Sequence, residues 1–306
     1  LKNDGEMLMK QIVSISLGSS KRNHRATLEI LGEEVVIERI GTDGDRKKAA
    51  GLLRELDGKV DALGLGGIDL YLVAGQRRYQ IRDAQKLVAV VKQTPILDGS
   101  GLKHTLERRV VHFLQEQGLQ LQEKKVLMTA AVDRFGMAEA LTEAGCRMVY
   151  GDFIFALGIP LPLTSLRALR FAARMLLPIL SQLPFELLYP TGKKQESIDP
   201  RFSGYYEEAD LIAGDFILIN KYLPSDLKGK IILTNTVTLE DLQNLSQRRI
   251  KTLITTTPDF QGRSFGTNVM EALLVAFSGR RPEELTAEDY IYYLEKLEIK
   301  PRIINF

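Results

Sequence analysis

The sequence contains few of the residues that most often carry metal or redox chemistry. Its 306 residues include one cysteine, Cys146, and three histidines, His24, His104 and His112. A single cysteine cannot form a disulfide within the chain, and so few cysteines and histidines argue against a zinc site built from these residue types. We therefore expect a cytoplasmic protein with no metal site.

Positively and negatively charged residues are nearly equal in number. Lysine and arginine together number 41, aspartate and glutamate number 39, and the formal net charge is +2. Nucleic-acid-binding domains typically carry a strong basic patch, so this balance argues against a nucleic-acid partner. The length predicts about two domains, and the hydrophobic content of 44% is sufficient for buried cores.

The chain also lacks an apolar run suited to crossing a membrane. Its most apolar segment, residues 159–190, is broken by two prolines and contains Arg167, Arg170 and Arg174 at spacings of three and four. This spacing predicts a packed helix with an apolar stripe and a solvated basic face. A subunit interface in a homodimer, a lid over an anionic ligand and a membrane-surface helix are the alternatives. The first ten residues contain no apolar stretch typical of a secretory signal.

Strand-like and helix-like segments alternate along the chain. The first half contains a strand, a hairpin that turns at Gly32, two further strands and two helices (residues 11–20, 25–41, 45–58, 60–67, 94–101 and 102–118). A second alternating series starts at residue 125, and such alternation predicts a mostly parallel sheet. We therefore predict an α/β fold with two mostly parallel-sheet domains.

The predicted domain boundary falls in a polar segment, residues 117–125. Residues 9–122 are predicted to form an α/β substrate-binding domain. Residues 123–306 are predicted to form a Rossmann-like, doubly wound nucleotide-binding domain with a helical insertion at residues 159–190. A C-terminal helix capped by Thr286 would end this domain and return to pack on the first half.

Residues 124–152 follow the order of a dinucleotide-binding unit: strand, turn, helix and a second strand that ends in an acid. The turn, residues 129–136, reads Thr-Ala-Ala-Val-Asp-Arg-Phe-Gly and has one glycine where G-x-G-x-x-G is typical. The cofactor-binding candidates in this unit are Asp133, Arg134, Gly136 and Asp152.

The charges of this unit allow two interpretations. Asp133 would repel a pyrophosphate unless Arg134 or the helix N-terminus outweighs it. Asp152 is placed to accept hydrogen bonds from ribose hydroxyls, and it would favour NAD over NADP unless Arg147 neutralises it. The unit is therefore a nucleotide site built without glycines, or a fold that has lost its nucleotide.

The first half offers substrate-binding candidates, because ligands of parallel sheets bind at the carboxyl ends of the strands. The turn after the first strand presents the hydroxyls of Ser19 and Ser20 and the charges of Lys21 and Arg22, which suit a carboxylate, a phosphate or a polyol. Asp69 follows a later strand and is a further candidate.

The segment Asp-Gly-Ser-Gly-Leu-Lys-His-Thr, residues 98–105, starts a helix with two glycines, which favours an anion beside Lys103. Asp98 and Lys103 are also the best catalytic acid–base pair in the sequence, because burial can lower the pKa of a lysine towards neutrality. His104 is a second candidate base. Alternatively, the glycines only permit a turn, and Asp98 or Ser100 caps the helix.

Further cofactor candidates follow later strands. Thr234 and Asn235 end one strand. A later glycine turn presents Arg263, Ser264, Gly266, Thr267 and Asn268 at the start of a helix, where an anionic group can bind. The alternative is a glycine turn in which Thr267 or Asn268 only caps the helix. The surrounding segment, from Gly-Arg-Ser-Phe-Gly to Met-Glu-Ala-Leu, also resembles the sugar-nucleotide loop of two-domain glycosyltransferases.

Residues 209–238, ADLIAGDFILINKYLPSDLKGKIILTNTVT, resemble the late part of a dehydrogenase nucleotide domain, and the domain order resembles that of shikimate and quinate dehydrogenases. Segments such as VSISLGSSKRNHR, TPILDGSGLKHTLERRVV and TTTPDFQGRSFGTNVMEA resemble a clostridial family labelled quinate 5-dehydrogenase, from residue 9 to residue 306. The resemblance implies an NAD(P)-dependent oxidoreductase acting on a hydroxylated carboxylic acid such as quinate. The serine-rich loop and glycine-rich turn of shikimate dehydrogenases are not recognisable here, so no catalytic residue is transferred.

Two other classes of function stay open. The glycine-poor turn favours a non-catalytic ligand-binding or regulatory protein on a dehydrogenase-like scaffold. The loop that starts at Gly262 favours a sugar-nucleotide transferase. The leading hypothesis places an anionic or polyol substrate between the two halves, against Ser19, Ser20, Lys21 and Lys103.

Overall fold

The computed structural model describes residues 9–74, 77–184 and 200–306. Two mostly parallel β-sheets, accompanied by helices, confirm the predicted α/β fold. Residues 185–190 of the predicted insertion lie outside the described residues.

The described strands are, in chain order, β1 (Met9–Ser16), β2 (His24–Ile30), β3 (Glu33–Gly41), β4 (Ala62–Gly66), β5 (Tyr71–Ala74), β6 (Arg77–Gln80), β7 (Ile96–Leu97), β8 (Lys125–Met128), β9 (Arg147–Tyr150), β10 (Leu211–Ala213), β11 (Ile231–Thr234), β12 (Thr252–Thr255) and β13 (Arg302–Asn305). The described α-helices are α1 (Arg46–Leu56), α2 (Arg82–Val88), α3 (Ser100–Glu116), α4 (Phe135–Glu143), α5 (Leu166–Leu180), α6 (Ser203–Glu208), α7 (Phe216–Lys221), α8 (Leu239–Gln247), α9 (Thr267–Ser278) and α10 (Ala287–Lys296). A π-helix, Asp152–Ala156, follows β9.

The first sheet has the strand order β2-β3-β1-β4-β7. Strands β3, β1, β4 and β7 run parallel, and β2 pairs antiparallel with β3 at the edge. The predicted hairpin turn is confirmed, with Gly32 at φ 78°. The order reverses between β1 and β4, because β3 lies on one side of β1 and β4 on the other.

The second sheet has the strand order β13-β12-β11-β10-β8-β9. Its five parallel strands follow the order second, first, third, fourth, fifth, which is the flavodoxin-like order of doubly wound sheets. Successive residues face opposite helical layers: Val126 and Met128 lie in one apolar cluster, and Leu127 lies in another. A parallel sheet covered on both faces needs such continuous apolar strands, and this is the pattern of β8, β10, β11 and β12.

The C-terminal elements cross back to the first half. Tyr290 and Leu294 of α10 are buried in one cluster with Ile12 and Val35 of the first sheet, which confirms the expected return of the last helix. Helix α9 packs there too, through Leu273. Strand β13 instead extends the second sheet, antiparallel to β12. The chain thus ties its two halves together twice, while a domain boundary at residues 122–123 stays a prediction.

Local sequence signals located most of these elements. The Asp45 carboxylate accepts a hydrogen bond from the Lys48 backbone N–H at 2.9 Å and caps α1, and Thr286 and Asp289 form a capping box on α10. The β5–β6 hairpin, α2, α6, α7 and β13 were not predicted. Strand β8 ends at Met128, three residues before the predicted end of this strand at residue 131.

Gly136 is a packing residue, which corrects its assignment to the cofactor site. It lies in the first turn of α4, where α4 crosses α3. A Cβ atom at this position would lie 2.9 Å from His104 Cα and 3.0 Å from His104 O. The glycine therefore permits the close approach of two helices, and it is buried.

We predict that Gly136→Ala lowers the free energy of unfolding by about 1–3 kcal/mol, because the added methyl group overpacks the α3–α4 contact. The control is Gly51→Ala in α1, where a Cβ would meet no atom within 4 Å. That change should stabilise the protein by roughly 0.5–1 kcal/mol through helix propensity. Urea denaturation measures both, and an unchanged Gly136→Ala midpoint would contradict the packing role.

Candidate functional site

A cavity of about 530 Å³ lies between the two sheets, and residues of both line it. In doubly wound sheets, ligands bind where the strand order reverses. These points lie between β1 and β4 in the first sheet and between β8 and β10 in the second. The segments that follow these four strands line the cavity through Gly18, Gly67, Val132 and Asp215. The cavity therefore occupies the expected ligand position of both sheets.

Lys103 connects the two halves at one end of this cavity. Its Nζ atom lies 2.9 Å from Asp69 Oδ1 and 2.7 Å from Asp133 Oδ1. Asp69 follows β4, Lys103 lies near the start of α3, and Asp133 lies in the turn between β8 and α4. All three predicted site residues line the cavity.

Arg134 forms a second, more buried array behind the first. Its guanidinium lies 2.8 Å from Glu107 Oε1 and 3.3 Å from Asp215 Oδ2. The Asp215 carboxylate also accepts hydrogen bonds from the Ile217 N–H at 2.9 Å and from Asn235 Nδ2 at 3.1 Å. Arg134 thus faces carboxylates of the protein itself, which limits its ability to offset Asp133 beside a pyrophosphate.

The pKa of Lys103 moves opposite to the direction expected for a general base. Burial lowers this pKa, but the carboxylates of Asp133 and Asp69 outweigh burial and raise it overall. Lys103 therefore stays protonated. Burial raises the pKa of Asp69 to about 6 despite the opposing charge of Lys103, so Asp69 is the member of this array that can accept a proton near neutrality.

Asp98 lines the cavity and binds backbone N–H groups, while its role as a catalytic acid stays a prediction. Its Oδ2 accepts hydrogen bonds from the backbone N–H groups of Leu70 at 2.6 Å and Tyr71 at 3.3 Å, and its Oδ1 accepts one from Ser100 at 2.9 Å. Gly99 adopts φ 95°, and a Cβ there would lie 2.8 Å from the Asn268 backbone N. The turn needs glycine, as the alternative interpretation of this segment has it, but the N-cap of α3 is Gly99 and makes no side-chain cap bond.

The carboxylate of Asp152 binds the backbone of the turn between β8 and α4. Asp152 Oδ1 accepts a hydrogen bond from the Val132 N–H at 2.9 Å, while Asp152 Oδ2 is buried and has no hydrogen-bond partner among the described residues. Burial raises the pKa of Asp152 to about 6, against the N–H groups of Val132 and Ala131. Arg147 pairs with Glu123 rather than with Asp152. In a dinucleotide site, the backbone N–H groups of this turn face the pyrophosphate. Here the Val132 N–H already donates to Asp152.

Three arginines converge on the cavity from separate segments. Arg39 on β3 donates hydrogen bonds to Ser16 Oγ at 2.9 Å and to the Ser19 carbonyl at 3.0 Å. Arg263, in the loop between β12 and α9, donates to the Arg22 carbonyl. Arg22 itself lies 2.9 Å from Asp241 Oδ2. We call Arg22, Arg39 and Arg263 the arginine cluster.

The sequence indicated Arg22 and Arg263 as cations of two separate turns, but it gave no sign of Arg39 or of the meeting of the three, and the favoured side chains of the first turn lie elsewhere. Ser19, Ser20 and Lys21 do not line the cavity. The Ser19 hydroxyl accepts the Lys21 N–H, the Ser20 N–H donates to Asp43, and Lys21 is exposed, because the chain coils into a 3-10 turn here. Arg22, the next residue, points inward, and it was the available signal.

Four of the five later cofactor candidates line the cavity. Asn235, Gly266, Thr267 and Asn268 line the cavity, whereas Thr234 is buried and donates a hydrogen bond to the Gly214 carbonyl at 2.8 Å. Gly266 is the N-cap of α9 and makes no side-chain cap bond. Asn268 Nδ2 instead donates to Ser14 Oγ at 2.9 Å. The alternative in which Thr267 or Asn268 caps the helix is therefore wrong.

The predicted arginine-bearing helix, α5, forms an apolar wall of the cavity. Leu169, Ala173 and Leu177 are buried and line it, while Arg167 and Arg174 are exposed. The expectation of a packed helix with a solvated basic face is confirmed. Within the described part of the chain, no helix is long and apolar enough to span a membrane.

The chain belongs to a family described as a domain of unknown function, DUF8754, whose family model matches residues 101–306. A second family model, also described as a domain of unknown function, DUF8753, matches residues 11–98. A comparison with curated proteins finds no match.

Similar solved structures have low scores. A galactofuranose-binding protein is 12% identical, with 94% of this chain and 98% of that chain covered and a TM-score of 0.34. A glutamate dehydrogenase is 12% identical, with 94% and 71% covered and a TM-score of 0.42. A hetero-hexameric glutamate dehydrogenase from Thermus thermophilus is 13% identical, with 95% and 74% covered and a TM-score of 0.39. At these scores the likenesses carry no argument about function.

We predict that Lys103→Met costs more stability at about pH 8 than at about pH 5. Lys103 lowers the pKa of Asp133 and opposes the burial that raises the pKa of Asp69. Without this ammonium group, burial raises the pKa of both carboxyls, so they can take up protons near pH 5 but stay charged and without their cation near pH 8. The expected loss at the higher pH is about 1–3 kcal/mol, reduced from the range for buried pairs because Asp133 is partly exposed.

Urea denaturation of wild type and variant at both pH values measures this difference. Lys86→Met is the control, because Lys86 pairs with Asp83 on the surface with 60% of its side chain exposed, and it should change stability little at either pH. An equal loss at both pH values would contradict the charge argument for Lys103.

Proposed function

We propose that the chain binds a small polyhydroxylated metabolite in the cavity between its two sheets. The observation that supports this proposal is a set of carboxylates and one ammonium group lining one end of the cavity: Asp69, Asp133, Asp152, Asp215 and Lys103. Ionised carboxylates only accept hydrogen bonds and an ammonium group only donates them. A ligand hydroxyl does both, so neighbouring hydroxyls match this set.

The arrays leave room for such contacts. The side chains of Asp133 and Asp215 remain 32% and 33% exposed although both take part in ion pairs. A protonated Lys103 can donate to a hydroxyl oxygen, and a carboxylate beside it can accept the hydroxyl hydrogen. The ligand hydroxyls would therefore bind carboxylate lone pairs and Lys103 N–H groups that the ion pairs leave available.

The apolar lining of the cavity constrains the shape of the ligand. Leu169, Leu176 and Phe153 present apolar surface to the same cavity. A compact carbon skeleton can pack against this wall while its hydroxyls face the carboxylates. Quinate and related cyclitol acids, which the sequence resemblance implies, belong to this class.

The test is a panel of sugars, polyols and hydroxy acids, including quinate, and of their phosphate esters, measured by thermal unfolding and calorimetry. A true ligand raises the melting temperature because it binds the folded state. Asp133→Asn should weaken binding roughly 10- to 100-fold, the effect of losing one charged hydrogen bond. Glu116→Gln, at an exposed position of the same helix as Lys103, is the control with unchanged affinity. Equal affinity in Asp133→Asn, or no ligand in the panel, would refute the proposal.

Nicotinamide-linked oxidation of the bound hydroxy acid is the second candidate. The buried, unpartnered Asp152 Oδ2 supports it, because an acid at the end of the second strand is where a ribose hydroxyl would donate. The turn fits a pyrophosphate poorly, since Asp133 adds negative charge and Asp152 already occupies the Val132 N–H. We therefore derive no step through a dinucleotide.

Calorimetry with NAD+ and NADP+ decides this second candidate. If a dinucleotide binds, NAD+ should bind more tightly, and Asp152→Ser should weaken it roughly ten- to a hundredfold and relax the preference. Equal affinities for both cofactors in both proteins would show that Asp152 does not touch the ribose. Stabilisation by a nucleoside diphosphate and none by NAD+ would instead favour the sugar-nucleotide transferase.

A further inference from the structure

We propose that the ligand of this cavity carries a phosphoryl group, bound by Arg39 and Arg263 beside Arg22. The inference rests on the proposed function, because the arginine cluster lines the same cavity as the hydroxyl-binding carboxylates. It adds the chemical class of the ligand: a phosphorylated compound rather than a neutral polyol or a simple carboxylic acid.

The first argument is the burial of charge without a counter-ion. Arg39 is 8% exposed and Arg263 is 3% exposed. Neither forms an ion pair within residues 9–74, 77–184 and 200–306, where the hydrogen-bond acceptors of both are neutral oxygens. Burying a charge without a partner destabilises the fold. An anionic ligand removes this cost when it binds.

Arg263 also has an unused donor. Its Nε atom is buried and has no hydrogen-bond partner among the described residues, while its guanidinium lies 5.5 Å from the centroid of the Phe265 ring. The stacked ring and the bond to the Arg22 carbonyl fix the plane of the guanidinium at the cavity wall. A fixed fork of N–H donors is the arrangement that binds phosphate or carboxylate oxygens at two points.

The charge balance favours a dianion over a monoanion. Arg22 has Asp241 as its ion-pair partner, so two guanidinium groups of the cluster, Arg39 and Arg263, have no carboxylate at ion-pair distance among the described residues. A carboxylate neutralises one of them, whereas a phosphate monoester carries about −1.5 to −2 at neutral pH and neutralises both. The arginines depress each other as well: burial lowers the pKa of Arg263 to about 9, and the charges of Arg39 and Arg22 add to this.

Helix α9 supplies a further feature suited to phosphate. Its first residues, Gly266, Thr267 and Asn268, line the cavity together with the arginine cluster, and its N-cap makes no side-chain bond. The N-terminus of a helix favours an anion through its free N–H groups and its dipole. With Arg263 in the loop just before this helix, one segment contributes both kinds of phosphate recognition.

The experiment uses inorganic phosphate as the probe, by calorimetry on the full chain at constant ionic strength. Wild type should bind phosphate, and Arg263→Met and Arg39→Met should each weaken binding roughly tenfold or more. Arg174→Met is the control, because Arg174 lies on the exposed face of α5 and should leave phosphate binding unchanged. Arg263→Lys keeps the charge without the fork and should give intermediate affinity.

The outcomes separate this inference from the proposed function. Asp133→Asn should lose polyol binding and keep phosphate binding, whereas Arg263→Met should show the reverse. A sugar phosphate that binds more tightly than phosphate supports the whole assignment. A nucleoside diphosphate that does so supports the phosphoryl site and shows that a nucleotide supplies the group. No phosphate binding at millimolar concentration, or equal binding by Arg263→Met and wild type, would overturn it.

If a variant fails to fold, thermal stabilisation of wild type by phosphate, compared with chloride, supports the site, and equal melting temperatures in the two salts overturn it.

Discussion

The ion pairs of Lys103 with Asp69 and Asp133 are the contact on which the geometry of the cavity depends. Asp69 belongs to the first sheet and Asp133 to the turn of the second, so one partly buried cation links the points at which both strand orders reverse. A buried ion pair compensates for its desolvation only when the geometry is good. Asp98 contributes to that geometry, because it accepts the N–H of Leu70, next to Asp69, and the N–H of Ser100, the first residue of the helix that carries Lys103.

The charges within one cavity are separated by sign. Two carboxylates pair with the single ammonium group of Lys103. The guanidinium groups of Arg39 and Arg263 line the same cavity and form no ion pair among the described residues. If the two groups were in direct contact they would pair, and neither would be available to a ligand. Their separation, together with an apolar wall from α5, favours a ligand with distinct anionic, hydroxylated and apolar parts. Specificity would then come from matching three regions at once, since each mismatch leaves a buried group unsatisfied.

Sequence reasoning succeeded where the signal was local. Strand–helix alternation predicted both sheets, and side-chain caps such as Asp45 and Thr286 are decided by neighbours three residues away. It failed where distant segments meet. The turn of Arg263 was a candidate anion site, but Arg39 lies in an ordinary strand, and nothing in either segment indicates that the two arginines share a cavity. The direction of the Lys103 pKa shift was wrong for the same reason, because Asp69 and Asp133 are remote in sequence.

The glycine-poor turn between β8 and α4 can be understood from this distribution of charges. A glycine-rich turn binds phosphate through bare backbone N–H groups, which requires that no side chain compete for them. Here Asp152 takes the Val132 N–H, and Lys103 holds Asp133 at the mouth of the turn. The second sheet therefore keeps the strand order of a nucleotide-binding fold, while the N–H donation of this turn is satisfied internally. Any anion in this cavity is accordingly better matched by Arg39 and Arg263, whose charges lack a protein partner among the described residues, than by the turn at which the fold would place it.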